Sequence, residues 1–223
     1  MFGLTIKAIL FDLDGTLIDS IPLHKKSFQL LFKQFGQDLP LASVSKYIRW
    51  STHEIYQKLH VKKRLGLDLQ PFLKLRRQTY YSLIEKKKLV FENRVKFIQK
   101  LRKKYSLALI TNSSRFTTWR STSRALRQTF DVIVTFSDVS HGKPHPEMLL
   151  LATKRLKVKP QECVMVGDSV VDVKAAKTAK MLVLAFYHQT GASTLKELRK
   201  ARPTKIIRHL KELNAFLKKC GKR

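Results

Sequence analysis

The 223 residues, 43% of them apolar, suffice for one substantial core or for one core carrying a smaller inserted domain, and no stretch nears the roughly 18 uninterrupted apolar residues of a membrane span. No basic segment leads into a long apolar run near Met1, and neither Cys163 nor Cys220 has spacing that suits zinc, so a soluble, cytoplasmic chain with no membrane partner is expected, a monomer being favoured. The formal net charge of +29 is spread along the chain, with 45 Lys and Arg against 16 Asp and Glu, and only the first 19 residues carry more acid than base.

An apolar run from Ile6 to Phe11 passes into Asp12-Leu13-Asp14-Gly15-Thr16-Leu17. It reads as a buried strand feeding a tight loop, in which Gly15 permits a turn that a side chain would resist. Phe28, Leu31, Phe32 and Phe35 then recur at helical spacing, with Pro22 in a first turn and Gly36 as a stop. Helical patterns continue at Ser43 to Trp50, His53 to His60 and Phe72 to Leu89, across turn signals at Pro40 and Leu65-Gly66, and no strand interrupts them. Residues 20–90 are therefore expected to form an all-helical domain inserted after the first strand, with 1–19 and 91–223 forming the catalytic core. The basic runs Lys62-Lys63-Arg64 and Lys86-Lys87-Lys88 read as solvated faces or loops. Beyond residue 91, short apolar strands at 107–110, 131–136, 163–166 and 182–186 alternate with helices at 91–105, 115–129, 146–156 and 173–179. An edge strand at 205–207 and a helix at 210–217 follow. This alternation predicts an α/β architecture, a parallel sheet covered on both faces.

Ligands of such a sheet sit where the carboxyl ends of the strands release their loops. The rule gathers Asp12 with Asp14, Thr111 with Asn112, and Asp168 with Asp172 at one edge, and Lys143 joins them from the loop after Val132. Converging carboxylates repel one another unless a hard cation sits among them, and oxygen-only donors favour Mg²⁺. Lys143 and the Thr111 hydroxyl can hold phosphoryl oxygens. Asp12, at the end of its strand, can attack phosphorus, and Asp14 can give a proton to a leaving alcohol and take one from water. His24 can reach back over the loop from the first inserted helix. Arg49, Trp50 and Thr52 can face a substrate, whereas His141 and His145, flanking Lys143, read as loop residues.

The segments Asp12-Leu13-Asp14-Gly15-Thr16, Ile110-Thr111-Asn112-Ser113, Gly142-Lys143-Pro144 and Gly167-Asp168-Ser169-Val170-Val171-Asp172 resemble, in order, the four motifs of the haloacid dehalogenase-like hydrolases. The resemblance spans nearly the whole chain. It implies a Rossmann-like core with a small α-helical cap, as in phosphoglycolate phosphatases and β-phosphoglucomutases. It further implies Asp12 as nucleophile, Asp14 as acid/base, and Mg²⁺ held by Asp12, the Asp14 carbonyl and Asp168 with support from Asp172. Thr111, Asn112 and Lys143 would hold phosphate. Dehalogenases of the superfamily lack the second acid and need no metal, so Asp14 argues against dehalogenation. Asp19-Ser20 and His24 are similar to β-phosphoglucomutases, but those carry Glu-Asp where this chain has Gly167-Asp168. Their cap also has Gly and Arg where this chain has Arg49 and Thr52. A phosphatase acting on a small phosphorylated metabolite is the expectation, with a phosphosugar mutase as the enzyme alternative. A basic nucleic-acid-binding protein on the same fold is the third reading. It is the weaker one, since a dedicated face would interleave clustered cations with aromatic rings.

Overall fold

Short runs of apolar residues, each too brief for a helix and buried on both sides, build the centre of the molecule. The computed structural model describes residues 5–85, 89 and 92–220. Six strands, β1 (Ala8–Asp12), β2 (Ser106–Thr111), β3 (Val132–Thr135), β4 (Cys163–Gly167), β5 (Leu182–Phe186) and β6 (Lys205–Ile207), pair in parallel in the order β3-β2-β1-β4-β5-β6. Alternate residues point to opposite faces, as the period of a strand requires. Ile9, Phe11, Leu107, Leu109, Val164 and Val166 enter one apolar cluster, while Ala8, Leu10, Ala108, Ile110, Cys163 and Met165 enter the other.

Helices α6 (Glu92–Leu101), α7 (Arg115–Ser121), α8 (Arg124–Arg127) and α12 (Glu212–Cys220) follow strands or loops around the first face, where Ile98, Leu126, Leu213 and Phe216 are buried. Helices α9 (Glu147–Leu156), α10 (Val170–Thr178) and α11 (Leu195–Ala201) cover the second with Met148, Leu149, Val173, Ala176 and Leu198. The sequence pattern suggests one helix over 115–129, but two form. Thr122 is extended at φ −126°, ψ 144°, and Ser123 restarts the helix by accepting from the Leu126 N–H. A serine at an N-cap competes with helix continuation, and here it wins.

Among the described residues, five helices lie between β1 and α6: α1 (Ile21–Gln34), α2 (Leu41–Tyr47), α3 (Thr52–Lys58), α4 (Val61–Leu65) and α5 (Leu69–Ile84). Helix α4 includes the basic run 62–64, which the sequence reading leaves as a solvated face or loop. His60 and Gly66 bracket it, both with left-handed backbone. Phe28, Leu31, Phe32, Val44, Ile55 and Phe72 form a separate apolar cluster for this helical unit. Leu23, Tyr80 and Ile84 instead join the cluster beneath the sheet, so the first and last of its helices are anchored in the sheet domain. The expected boundary at 90/91 and the run Lys86–Lys88 lie outside the described residues. Among the described residues no helix is long and apolar enough to cross a membrane.

The strand order places a switch point between β1 and β4, since the chain leaves β1 towards β2 and leaves β4 towards β5. Crevices in α/β sheets open at such points. The register pairs Asp12 with Ile110 and Phe11 with Val166, so Thr111 and Asp168 leave their strands within two residues of the level of Asp12.

Candidate active site

Asp12 ends β1, and Asp14 sits in the loop beyond it, where Gly15 turns the chain at φ +86° and donates its N–H to the Ile18 carbonyl at 2.8 Å. A Cβ on Gly15 would lie 2.3 Å from Asp168 Oδ2. Backbone angle and close approach therefore both demand glycine. On the opposite loop, Asp172 Oδ2 accepts from the Ser169 N–H at 3.1 Å and from the Ser169 hydroxyl, while Ser169 Oγ accepts from the Asp172 N–H, a reciprocal cap that starts α10. A Cβ on Gly167 would lie 2.4 Å from Asp172 Cγ, so no side chain fits there while Asp172 holds this position.

Lys143 is the central cation. Its side chain is 2% exposed, and Nζ donates to Asp12 Oδ1 and Asp172 Oδ1, both at 2.6 Å, and to the Ile110 carbonyl at 3.2 Å. Burial opposes its charge, but Asp12 and Asp172 more than offset this and hold its pKa above the ordinary lysine value. One ammonium does not balance the cluster. Burial, reinforced by Asp172, Asp168 and Asp14, pushes Asp12 well above the usual carboxylate range despite Lys143. Burial and then Asp172 push Asp168 up to about 7. Asp168 Oδ2 accepts from the Ala192 N–H at 2.6 Å, whereas Oδ1 is buried with no hydrogen-bond partner. Carboxylate oxygens of Asp12, Asp168 and Asp172 lie within 4.8 Å of one another.

Asp14 is held differently. Oδ1 accepts from Ser20 Oγ at 2.6 Å and from His24 Nε2 at 3.1 Å, and Oδ2 accepts from Thr111 Oγ1 at 3.1 Å and Ser113 Oγ at 2.9 Å. Burial raises its pKa, but the His24, Ser20 and Ser113 hydrogen bonds win and hold it below the usual range. The Arg76 guanidinium, from α5, donates to His24 Nδ1, which leaves Nε2–H as the donor to Asp14. The His24 ring stacks on Tyr80 at 4.1 Å between centroids, nearly parallel. Burial, with Arg76 assisting, lowers the His24 pKa although Asp14 opposes it. His24 thus contributes stability that is present above its unfolded pKa of about 6.5 and is lost as pH falls through its folded value. Replacing His24 with alanine is expected to cost about 2–3 kcal/mol at neutral pH, because Asp14 loses a donor and the buried guanidinium loses its acceptor. Urea unfolding measures this, and the variant should lose less stability than the wild type on acidification.

Helices α1, α3 and α5, with the loop before α3, roof this edge and leave a cavity of about 210 Å³, lined from below by Asp12, Asp14, Lys143 and Asp168 and from above by Arg49, His53 and Arg77. Arg49 bridges roof and sheet domain: Nη2 donates to Glu197 Oε1 at 3.0 Å and Nη1 to Ser193 Oγ at 3.2 Å, while its buried Nε has no partner. Asn112 braces the neighbouring loops, with Oδ1 accepting from the Lys143 N–H at 2.8 Å and Nδ2 donating to the carbonyls of Lys143 and Arg49. Of the residues singled out from the sequence, Asp12, Asp14, His24, Arg49, Trp50, Thr52, Thr111, Asn112, Lys143 and Asp168 line the cavity, and Asp172 contacts it through Lys143. His141 and His145 lie apart on an exposed turn, each Nδ1 near Glu147 Oε2. The sequence reading missed Arg76, Ser113 and the Ala192 N–H. It also missed His188, whose Nε2 contacts the Gly15 carbonyl. Only Ser113, beside the Thr-Asn pair, carried a local signal.

A family model for haloacid dehalogenase-like hydrolases matches residues 9–186. A pyrophosphatase PpaX of Bacillus mycoides (strain KBAB4) is 33% identical over 177 residues, which cover 78% of this chain and 80% of the relative. Among solved structures, a hydrolase from Pseudomonas syringae superposes with a TM-score of 0.81 at 23% identity, covering 97% of this chain and all of the other. A β-phosphoglucomutase from Clostridium difficile superposes at 0.75 with 19% identity, covering 96% and 98%. The last two establish the fold. With the family match over most of its length and the ordered loops converging on one crevice, the chain belongs to the haloacid dehalogenase-like hydrolases.

Proposed function

We propose that the protein is a Mg²⁺-dependent phosphatase that passes the phosphoryl group of a small phosphorylated metabolite to Asp12 and then to water. One juxtaposition at the switch point carries the reading. Asp12 Oδ1 is fixed by the buried Lys143 ammonium, Oδ2 has only a long 3.5 Å contact from Thr16 Oγ1, and the orphaned Asp168 Oδ1 lies across the crevice. A strand-end carboxylate with one oxygen restrained and one available is a nucleophile in place.

The donor set fits Mg²⁺: oxygen ligands only, an excess of buried negative charge, and a carboxylate oxygen otherwise unsatisfied. Asp12, Asp168 and the Asp14 carbonyl would hold it. Asp172, with one oxygen on Lys143 and the other on Ser169, would keep the loop and the lysine in position. When bound, the ion supplies charge neutralisation for phosphoryl oxygens. Asp12 Oδ2 then attacks phosphorus as the bond to the leaving group breaks, giving an acyl phosphate on Asp12. Water, giving its proton to Asp14, attacks that phosphorus, and the bond to Asp12 Oδ2 breaks to release phosphate.

Asp14 also bears on the substrate. Four donors stabilise it as a carboxylate, which suits proton acceptance in the second step better than donation in the first. Such a site favours a leaving group that departs without a proton. The phosphate expelled from pyrophosphate is one; a simple alkoxide is not. Arg49 and Arg77 above the cavity provide cations for that second phosphate, and the 33%-identical PpaX relatives are pyrophosphatases by name. The mutase alternative has less support, because the position that mutases fill with Glu is Gly167, against which Asp172 is packed.

The test is phosphate release from pyrophosphate, a sugar phosphate and glycerol phosphate, with Mg²⁺ and with a chelator. Mg²⁺-dependent release, faster from pyrophosphate than from glycerol phosphate, is expected. Absence of release from every compound would overturn the phosphatase reading, and a preference for the alkyl ester would overturn the leaving-group argument.

A further inference from the structure

Helix α7 is inverted. Its hydroxyl residues Thr117, Thr118 and Ser121 are buried, while Phe116 and Trp119 are 59% and 43% exposed. The buried hydroxyls stay satisfied locally, Thr118 Oγ1 donating to the Ser114 carbonyl and Ser121 Oγ to the Thr117 carbonyl, so the inward face tolerates polar residues.

Around these rings the surface interleaves guanidinium and aromatic groups. Arg127 lies 5.4 Å from the Trp119 ring centroid, Arg77 lies 5.9 Å from that of Phe116, and Arg120 lies 5.3 Å from that of Tyr81. The Tyr81 and Phe116 centroids are themselves 5.7 Å apart. Arg115 and Arg124 add charge at either end of α7. Two carboxylates enter the patch, Glu85 paired with Arg120 at 3.0 Å and Asp138 with Arg115 at 2.5 Å. Among the described residues no carboxylate pairs with Arg77, Arg124 or Arg127. The patch runs to the mouth of the catalytic cavity, because Arg77 belongs to both and Tyr81 Oη is bonded at 3.3 Å to Oγ1 of the buried Thr117, which lines the cavity.

We propose that this face binds single-stranded nucleic acid, with bases stacking on Trp119, Phe116 and Tyr81 and the phosphates following the arginines between them. Aromatic platforms with interspersed cations recognise unpaired bases irrespective of sequence, because every base offers a π-face. Charge complementarity selects the occupant: the chain carries +29, and a polyanion is the partner such a surface attracts. The proposal is independent of the phosphatase reading, since none of the three rings takes part in the chemistry at Asp12.

The test is fluorescence anisotropy with a labelled oligouridylate of about 20 nucleotides over a potassium chloride series, read together with tryptophan emission in a Trp50→Phe background, where Trp119 is the remaining tryptophan. Binding should quench Trp119. Combined Phe116→Ser and Trp119→Ser should weaken it about tenfold or more, in keeping with the loss of one or two stacked bases. Arg120→Ala with Arg124→Ala should flatten the logarithmic salt slope by about one, because fewer phosphates are then neutralised and fewer counterions released. Lys154→Ala with Lys174→Ala removes equal charge from the opposite face of the sheet and should leave affinity within about twofold. Circular dichroism checks that the exposed substitutions leave the fold intact, and Trp119→Phe should retain binding. The proposal fails if the serine variant binds as the wild type does or if the distant lysine pair matters as much as the arginine pair. It fails equally if duplex RNA binds as tightly as the single strand. It also fails if no binding occurs, whether the rings instead support self-association in sedimentation or adsorption to anionic vesicles.

Discussion

Replacing Lys143 with methionine is expected to abolish turnover and to make folding depend on a divalent cation. Methionine nearly fills the volume, so the change isolates the charge. The lysine is the cation shared by Asp12 and Asp172, and its side chain and theirs are almost wholly buried. Removing one partner of a buried ion pair costs about 3–5 kcal/mol, because the other is left uncompensated. Without metal the variant should therefore melt well below the wild type, and Mg²⁺ should raise its melting temperature by more than it raises that of the wild type. Activity should fall about 10³-fold or more even with Mg²⁺ present, since the restraint on Asp12 Oδ1 and a fixed charge near the phosphoryl group are both removed. Thermal unfolding with and without Mg²⁺, beside turnover, measures both effects. Equal melting temperatures for the two proteins in chelator would contradict the electrostatic account.

Asp12→Asn should separate chemistry from stability. The amide keeps the shape and an oxygen for Lys143 but cannot form an acyl phosphate, so turnover should fall about 10⁴-fold or more. Stability should move the other way. Asp12 has a folded pKa raised above its unfolded value, so its contribution is fully present below the unfolded value and is lost as pH rises through the folded one. Asparagine mimics the protonated acid, and in chelator at neutral pH the variant should be at least as stable as the wild type. Denaturant unfolding checks the sign. A marked destabilisation would mean that Lys143 needs the Asp12 charge more than the cluster suffers from it.

The fold was legible because the sheet is made of short apolar runs ending in polar loop residues, a pattern that survives without any tertiary information. Asp12, Thr111, Asp168 and Lys143 could be gathered for the same reason, since each leaves the carboxyl end of a strand or follows one. Arg76 could not. It lies on a helix full of basic residues, and only folding brings it to His24, 52 positions away. The Ala192 N–H that holds Asp168 is equally silent, as a backbone group has no signature in composition. The helix break at Thr122 was hidden because apolar spacing continues across it to Leu126 and Phe130, while the capping by Ser123 that interrupts it is a local competition. The exposed ring-and-arginine surface escaped for a related reason. Phe116 and Trp119 are consistent with core spacing in the sequence, but Thr117, Thr118 and Ser121 occupy the inward face instead. Its Arg77, Tyr81 and Arg120 come from segments that meet only in the folded molecule.

Transfer through Asp12 is the central claim, and acid quenching during turnover with Mg²⁺ and saturating substrate, followed by peptide mapping, tests it most directly. A phosphoryl group on the peptide containing Asp12, formed and lost at rates compatible with turnover and absent from Asp12→Asn, is the result predicted. Phosphate release that proceeds with no acyl phosphate on that peptide, or that persists in Asp12→Asn, would contradict it.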